Sequence, residues 1–451
     1  MIRWRGLLGA ATLALLALGA APAAAEMRLS PDEARQFAVR LAQHGQPTAA
    51  RAAAEALLLR DPNDVVALIV LSRSARDLGD YAAARKAAAR AWRLGGNDRD
   101  RFAAGLAMAQ ALASEGRRGA AQFWLRRAGQ VAPDARTRTV ARRDFAYVRS
   151  RNPWRAKLSF GAFPSSNVND GPTTDSVVIG GLEFVDPDAV PLSGFGATAA
   201  AGVSYRFGLD DRSDLTLGIE GSTTRYALSA AAKRRVPDAS AADYDRSTIA
   251  LSAGWNRRLG QGLISATVTR GRDWYGGAVL SDWTELALNH VRAQGQDQQL
   301  RFGLTLTDTQ RHDADIRSSQ AAEASFGWGR ALAGGGRLDA ELTLGRVWSD
   351  SSAVARREVG LTLAWQRGQP VLGAEISGFV SLALDDYDLP LYAVAVRKDV
   401  TATLGVSALL SEVDYMGFSP EVGLTLSQVN SSVASFTTRK AEIHFAIRST
   451  F

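Results

Sequence analysis

The sequence predicts an α+β multidomain fold: N-terminal α-helical repeats followed by a C-terminal antiparallel transmembrane β-barrel of about 14 strands. Three observations carry this. Up to about residue 150 the chain is rich in Ala, Leu and Arg; beyond it Gly, Ser, Thr, aromatics and Val take over. In the first part Gly45 and Gly79, and likewise Asn63 and Asn97, stand 34 residues apart, the spacing of a two-helix repeat. In the second part, segments of about 10 to 14 residues alternate apolar with polar positions, as strands do when one face meets lipid and the other a wet lumen.

The N-terminus has its own logic. Arg3 and Arg5 precede an apolar run from Leu7 to Ala20, and Ala21-Pro22-Ala23-Ala24-Ala25 follows. This is the layout of a cleaved secretory signal, with Ala23-x-Ala25 as the cleavage motif. The apolar run, about 14 residues, is too short for the roughly 20 that a spanning helix needs. The expected organisation is a signal peptide at 1–25, a periplasmic helical domain at 26–150 and an outer-membrane barrel at 151–451. The chain contains no cysteine, which excludes a lipid-modified N-terminus, disulfides, thiol catalysis and cysteine metal sites. The formal net charge of +7 falls to about +5 without Arg3 and Arg5. An excess that small does not point to nucleic acid.

Between Pro31 and about Tyr147 the pattern is short helices. Leu78-Gly79-Asp80-Tyr81-Ala82-Ala83-Ala84 resembles the tetratricopeptide signature around its central turn. Gly79 permits the turn, Tyr81 is expected to pack between helices, and Ala83 and Ala87 to allow close contact. Weaker copies surround Gly45 and Gly116. Such repeats form a groove that holds another polypeptide; a spacer or a plug against the barrel is the alternative. Tyr81, Trp92, Phe102, Phe123 and Trp124 read as core. The stretch from Arg126 to Arg151 carries eight arginines, able to meet lipid phosphate, lipopolysaccharide or a client, or to form a solvated helix face.

Arg151-Asn152-Pro153-Trp154 marks the change to strands. Leu215, Leu217 and Ile219 alternate with Thr216, Gly218 and Glu220, and the pattern returns at Arg301–Thr307, Ala340–Gly345 and Ala441–Ile447. Short connections are expected near 209–213, 259–262, 293–297, 332–336 and 367–370, facing the periplasm. Longer polar ones are expected near 226–246, 272–281, 309–319 and 348–355, with the longest, 164–198, first among the outer loops. A plain count gives 15 strands. An even number is required if both ends of the barrel face the periplasm, so Leu389–Val396 is assigned mainly to an outer loop and the count becomes 14. The turn at Tyr415–Phe418 then faces the periplasm. The terminal aromatic Phe451 on an alternating strand is the signal read by the barrel assembly machinery. One chain closes such a barrel, so a monomer surrounded by outer-membrane lipid and lipopolysaccharide is expected.

Chemistry is sparse. His44, His290, His312 and His444 form no metal-binding spacing, and no nucleophile elbow, phosphate loop or dinucleotide fingerprint occurs. The acidic groups Asp210-Asp211 and Asp385-Asp386-Tyr387-Asp388 fall at expected turns and loops. No enzyme activity, metal or cofactor is predicted.

Several segments resemble the surface lipoprotein assembly modifier (Slam) family. These are Asn152-Pro153-Trp154, then Pro164-Ser165-Ser166-Asn167-Val168-Asn169, and Pro191-Leu192-Ser193-Gly194-Phe195-Gly196. Near the end come Gly417-Phe418-Ser419-Pro420 and Leu424-Thr425-Leu426-Ser427, with Asn430 and Ser432 after them. The resemblance covers the chain beyond residue 25 and implies tetratricopeptide-like repeats joined to a 14-stranded barrel. It implies delivery of specific lipoproteins, or soluble client proteins, to the cell surface or medium. On that reading the repeats engage the client, the barrel supplies the membrane route, and Asn167, Asn169 and Gly194 are candidate client or lumen-loop positions. Asn and Gly equally suit a loop folded over the lumen. A polysaccharide exporter or a porin-like channel with a periplasmic helical domain is the alternative.

Overall fold

The computed structural model describes residues 29–179, 182–185, 189–391 and 395–449. The expected signal segment at 1–25 and the terminal Phe451 lie outside the described residues. The chain forms two compact units, one ending at Leu94 and the other beginning at Gly95.

The first unit is four helices: α1 (Pro31–Gln43), α2 (Pro47–Arg60), α3 (Val65–Asp77) and α4 (Tyr81–Leu94). Ser30 opens α1 as a reciprocal capping box with Glu33, and Pro31 and Pro47 start their helices where a missing N–H does no harm. Alanines at the contacts let backbones approach closely. Ala38, Ala50, Ala54 and Ala67 are fully buried with Leu57 and Val70. Arg35 on α1 reaches Asp64, the N-cap of α3, at 2.6 Å, so one carboxylate serves both a cap and an ion pair.

The second unit begins with α5 (Asp98–Ser114), α6 (Arg118–Gln130) and α7 (Ala135–Arg151). Phe102, Leu106, Leu112, Leu125 and Phe145 fill the space among them. The chain leaves α7 at Asn152 and enters β1 (Trp154–Ser165) two residues later. A small hairpin follows, β2 (Ser176–Ile179) and β3 (Leu182–Val185). Then come β4 (Gly194–Gly208), β5 (Ser213–Leu228), the short α8 (Ala230–Arg235), β6 (Arg246–Leu259), β7 (Gly262–Tyr275), β8 (Ala278–Gln294) and β9 (Gln298–Arg311). The sheet continues through β10 (Ser319–Ala331), β11 (Arg337–Trp348), β12 (Arg356–Gln366), β13 (Glu375–Leu391), β14 (Ala395–Leu409), β15 (Phe418–Ser431) and β16 (Thr438–Ser449).

β1 and β4 to β16 close into one antiparallel barrel of 14 strands, each beside its neighbour in sequence, with β1 meeting β16. It is an outer-membrane barrel preceded by a periplasmic helical region. Its outer wall is apolar and exposed: Leu217, Leu251, Val268, Leu304, Leu342, Leu361, Leu382, Leu404, Leu424 and Phe445 stand on it. In water that surface would be prohibitive; in a bilayer it is the solvent-matched face. Trp154 packs edge-on against Tyr205, with centroids 4.8 Å apart, and Tyr205 against Phe207 at 4.5 Å. Trp255, Trp365 and Phe418 add to this aromatic girdle at the inner end.

Closure settles the strand count, and two expectations about connections change. The segment 272–281 is not a long loop. β7 and β8 run to a two-residue turn, Gly276-Gly277, with φ of 57° and 81°. Two adjacent residues in the left-handed region make the tightest hairpin connection. Conversely, 367–374 at the inner end exceeds that outer turn in length. At the doubtful place, β13 extends to Leu391 and β14 starts at Ala395, so both ends of Leu389–Val396 are strand.

Candidate functional site

The alternation that points leucines outward points small and charged side chains inward. Thr362 and Ser381 hydroxyls are 3.0 Å apart, Ser377 and Ser407 2.8 Å, Thr403 and Ser427 3.2 Å. Each pair faces the lumen across adjacent strands. Glu285, Glu323, Glu341 and Glu358 stand on β8, β10, β11 and β12, with Glu323 close enough to feel the other three charges. Arg301 on β9 reaches across β10 to Asp339 on β11 at 2.8 Å. It can do so because Gly327 and Gly329 lie beneath: a Cβ on either would sit within 2.8 Å of these charged side chains. A luminal recess of about 510 Å³ is lined by Arg337, Asp339, Ser377, Phe379, Glu421 and His444. His444 touches Thr425 at 3.1 Å and no metal-ligand group. Among the described residues no three His, Asp or Glu side chains converge as a metal site.

The outer mouth is crossed by the loop between β1 and β4. Asn167 is completely buried and holds the loop from both sides. Its amide donates to the carbonyls of Gly171 (2.8 Å) and Arg439 (3.2 Å), and its carbonyl accepts from the Gly171 N–H at 2.8 Å. Asn169 clips the loop to its returning limb, donating to the Val190 carbonyl and accepting from the Leu192 N–H, both at 2.8 Å. Gly194 lets this limb lie against β5: a Cβ there would be 2.5 Å from the Ala227 carbonyl oxygen and 2.9 Å from Val168. The three candidate positions thus belong to one structure, the seat of this loop. Val168, Val190 and Leu192 form a small apolar core with Leu228, Ala232 and Val236 of the next outer loop.

At the tip of that seat is Asp170, with φ of 50°. Its carboxylate meets Arg246 of β6 at 2.8 Å and Lys440 of β16 at 3.1 Å. Three strands, β1, β4 and β5, separate those two in the barrel wall. One side chain therefore spans a chord of the mouth, a latch across the lumen. Beside β16, on β13, β14 and the β15–β16 loop, Arg397 pairs with buried Asp399 and lies over the rings of Phe436 (3.6 Å) and Tyr387 (4.4 Å).

At the inner end, α6 grips the barrel. Arg126 donates to the carbonyls of Met416 (3.0 Å) and Gly417 (3.1 Å) and to Ser449 Oγ (2.8 Å). Its guanidinium lies 4.6 Å from the Phe418 ring centroid and 4.8 Å from that of Phe145. Burial, with Arg149 nearby, lowers its pKa from the ordinary arginine value against the pull of Asp414. The Gln130 side-chain oxygen Oε1 accepts from the Met416 N–H. A neighbouring recess of about 430 Å³ gathers Arg118, Arg151, Arg206, Arg212 and Arg258 with Asp210, Asp211 and Asp214. Along α7, Arg136, Arg138, Arg142, Arg143, Arg149 and Arg151 are exposed around a buried stripe of Ala141, Phe145 and Val148.

The helix-turn residues fall in equivalent places. Gly45, Gly79 and Gly116 have φ of 68°, 81° and 89°. Each ends the first helix of a hairpin, and the next N–H returns to a carbonyl five residues back: Gln46 to Leu41, Asp80 to Ala75, Arg117 to Leu112. Tyr81 and Ala83 are half-buried at the start of α4, while Ala84, Ala87, Ala88 and Ala91 form its buried stripe. Sequence reading does not single out Asp170, Arg246 or Lys440, and it notes Arg126 only within the arginine-rich stretch, not as a contact to the barrel. Asp170 directly follows the Asn167-Val168-Asn169 motif, which is the one local signal; its partners lie 76 and 270 residues away.

No family model matches the sequence, and no curated protein matches it. Among solved structures, an outer membrane channel from Pseudomonas putida F1 is similar at 11% identity, over 64% of this chain and 95% of that one, with a TM-score of 0.31. OccAB3 of Acinetobacter baumannii is similar at 7% identity over 66% and 99% of the two chains, with a TM-score of 0.37. A bacterial polysaccharide outer membrane secretin is similar at 10% identity over 65% and 98%, with a TM-score of 0.32.

Proposed function

We propose that this protein is an outer-membrane transport channel, held shut at its outer mouth by the loop between β1 and β4 and supplied from the periplasmic side. The observation that carries the reading is the Asp170 latch across a polar lumen. A barrel used only as an anchor needs no charge-lined interior, and a permanently sealed one needs no ion pair at its mouth. Half-exposed ion pairs are weak and screened by salt, which suits a closure that must release. The test is conductance of the purified protein in planar bilayers. Brief openings in the wild type, lengthened in Asp170→Asn, are the expected result; a barrel silent in both forms overturns the channel reading.

The cargo divides this reading in two. A polysaccharide or polar-solute channel needs only the lumen. A second reading, delivery of lipoprotein or soluble client proteins, is favoured by the helical hairpins with their matching glycine turns and by the Pro164–Asn169 and Pro191–Gly196 segments that resemble the Slam family. On it, the periplasmic helices hold the client, the barrel assembly machinery inserts the chain, and the exposed arginines of α7 face lipid phosphate. Comparing surface proteins and surface polysaccharide of cells with and without the gene separates the two. Loss of one or two proteins from the surface, with their retention in the periplasm, supports client delivery; loss of polysaccharide alone overturns it.

A further inference from the structure

The recess of about 430 Å³ at the inner end is lined by five arginines and three aspartates, yet the two kinds do not pair. Asp210 closes its own turn, accepting from the backbone N–H groups of Arg212 (2.7 Å) and Ser213 (2.8 Å) and from the Ser213 hydroxyl. Asp214 accepts from the Asn256 amide at 2.9 Å. The guanidiniums are turned to neutral groups as well. Arg206 donates to the Ser150 carbonyl at 2.8 Å, and Arg151 lies 3.8 Å from the Tyr147 ring centroid. Among the described residues, no ion pair joins Arg118, Arg151, Arg206, Arg212 or Arg258 to a carboxylate.

Strand alternation turns this recess towards the lumen. Val203 and Phe207 are the exposed, outward positions of β4, which puts Arg206 on the inner face. Leu215 and Leu217 face outward on β5, so Asp214 faces inward with Asn256 of β6, and Arg258 lies two residues beyond Asn256 on the same face. The Arg258 N–H donates to the Arg212 carbonyl at 2.8 Å, which draws the 209–212 turn against β6. The cations then continue upward. On β1, exposed Trp154, Leu158 and Phe160 face outward, so Arg155 and Lys157 face the lumen, both exposed and, among the described residues, without an ion pair. Further out the same wall carries the Thr198 and Thr224 hydroxyls, 3.0 Å apart.

We infer that the recess is an entry site for an acidic glycan, whose anionic groups dock on these arginines before the chain passes along β1 into the lumen. Cations gathered without counter-charge repel one another and draw anions from solution. Planar guanidiniums bind oxyanions through two parallel hydrogen bonds. The lining also separates glycan from protein. Of its side chains only Pro153 is apolar, so a polypeptide of mixed composition finds no seat for leucines or aromatics. A hydroxylated chain with regularly spaced charges needs none. The inference rests on the transport reading and narrows its cargo to anionic polysaccharide.

The probe is a galacturonic acid hexamer titrated calorimetrically into the purified full-length protein, with maltohexaose as the neutral glycan and hexaglutamate as the acidic peptide. The hexamer should bind more tightly than hexaglutamate, and maltohexaose should not bind. Arg118→Gln/Arg258→Gln removes two cations whose side chains make no bond among the described residues, so the fold is kept while binding weakens about tenfold. Asp211→Asn removes an exposed anion from the same lining and should tighten binding about twofold. Hexamer binding no stronger than that of maltohexaose, or affinity unmoved by both variants, overturns the site. Tighter binding of hexaglutamate overturns the glycan and makes the recess a peptide dock. In planar bilayers, hexamer added on the periplasmic side should interrupt the Asp170→Asn current, with briefer interruptions once Arg118 and Arg258 are replaced. A barrel that binds the hexamer but stays silent refutes the transport reading and leaves the anion site standing.

Discussion

Replacing Asp170 with Asn isolates the latch charge with little else disturbed. Asn is isosteric and, like Asp, tolerates the left-handed φ of 50° found here, so the backbone of the loop is retained. What is lost is attraction to Arg246 at 2.8 Å and Lys440 at 3.1 Å. Full Coulomb values do not apply, because the Asp170 and Arg246 side chains are 47% and 51% exposed and Lys440 is 25% exposed. Exposed pairs contribute about 0.2–1 kcal/mol each, and a partly covered carboxylate shared by two cations should lie at the top of that range, about 1–2 kcal/mol in all. That corresponds to an increase of about 5- to 30-fold in the ratio of unlatched to latched loop. Single-channel recording in planar bilayers reads the ratio as open-to-closed dwell time. Salt supplies the second arm: from 0.1 to 1 M the screening length falls from about 10 to about 3 Å. Raising salt should loosen the wild type towards Asp170→Asn and leave the variant nearly unmoved. Identical dwell times, or equal salt response in both proteins, would refute the electrostatic latch.

Other substitutions probe the seat and the grips. Asn167→Ala removes three buried hydrogen bonds and should destabilise the loop by about 2–4 kcal/mol, seen as protease cleavage within 166–193 while the barrel stays folded. Gly194→Ala should cost about 1–3 kcal/mol because its Cβ meets the Ala227 backbone oxygen. Gly329→Ala, which meets only the movable ends of Asp339, Arg337 and Arg301, should cost less than about 1 kcal/mol and alter ion selectivity instead; comparing thermal unfolding of the two barrels checks the order. Arg126→Ala should speed amide exchange in the 410–417 turn by about 10- to 100-fold, since charge-assisted bonds contribute about 1.5–3 kcal/mol. An unchanged exchange rate there would remove α6 from any role at the inner rim.

What could be read from sequence follows the range of the interactions. Alternation at Leu215–Glu220 or Ala441–Ile447 is a local pattern with a period of two, and one buried or lipid-facing wall is enough to enforce it. The glycine turns were legible for the same reason: Gly45, Gly79 and Gly116 each close a hairpin within a few residues. The 272–281 hairpin is missed because Arg272-Asp273 and Gly276-Gly277 read as a polar, glycine-rich loop, although strand-favouring Trp274 and Tyr275 before two adjacent glycines are also the mark of a tight hairpin. Asn167, Asn169 and Gly194 drew notice as a motif, yet their shared work, seating a loop against residues as far away as Arg439, is set by barrel closure. The latch is less legible still. Nothing near Lys440 or Arg246 separates them from other inward or rim charges until the sheet has closed and brought both to one carboxylate.

That closure ties the latch and the outer end of β16 to one segment. Ser166 and Asn167 hold the outer end of β16 by its backbone, and four residues later at most, Asp170 holds Lys440 on the same strand and Arg246 across the mouth. Because the loop is short between these points, releasing Asp170 removes one hold on β16 as well as the bar from the lumen. The inner end of β16 has an independent hold, Arg126 on α6, whose helix packs on α7, the helix that leads into β1. A cargo that displaced α6 would free β16 at the bottom, and one that reached the mouth would free it at the top. The double variant Asp170→Asn/Arg126→Ala discriminates this from two unrelated contacts. If both holds act on β16, amide exchange along residues 439–449 should speed up in the double variant by more than the single changes combined; simple additivity would mean that the mouth and the inner end act independently.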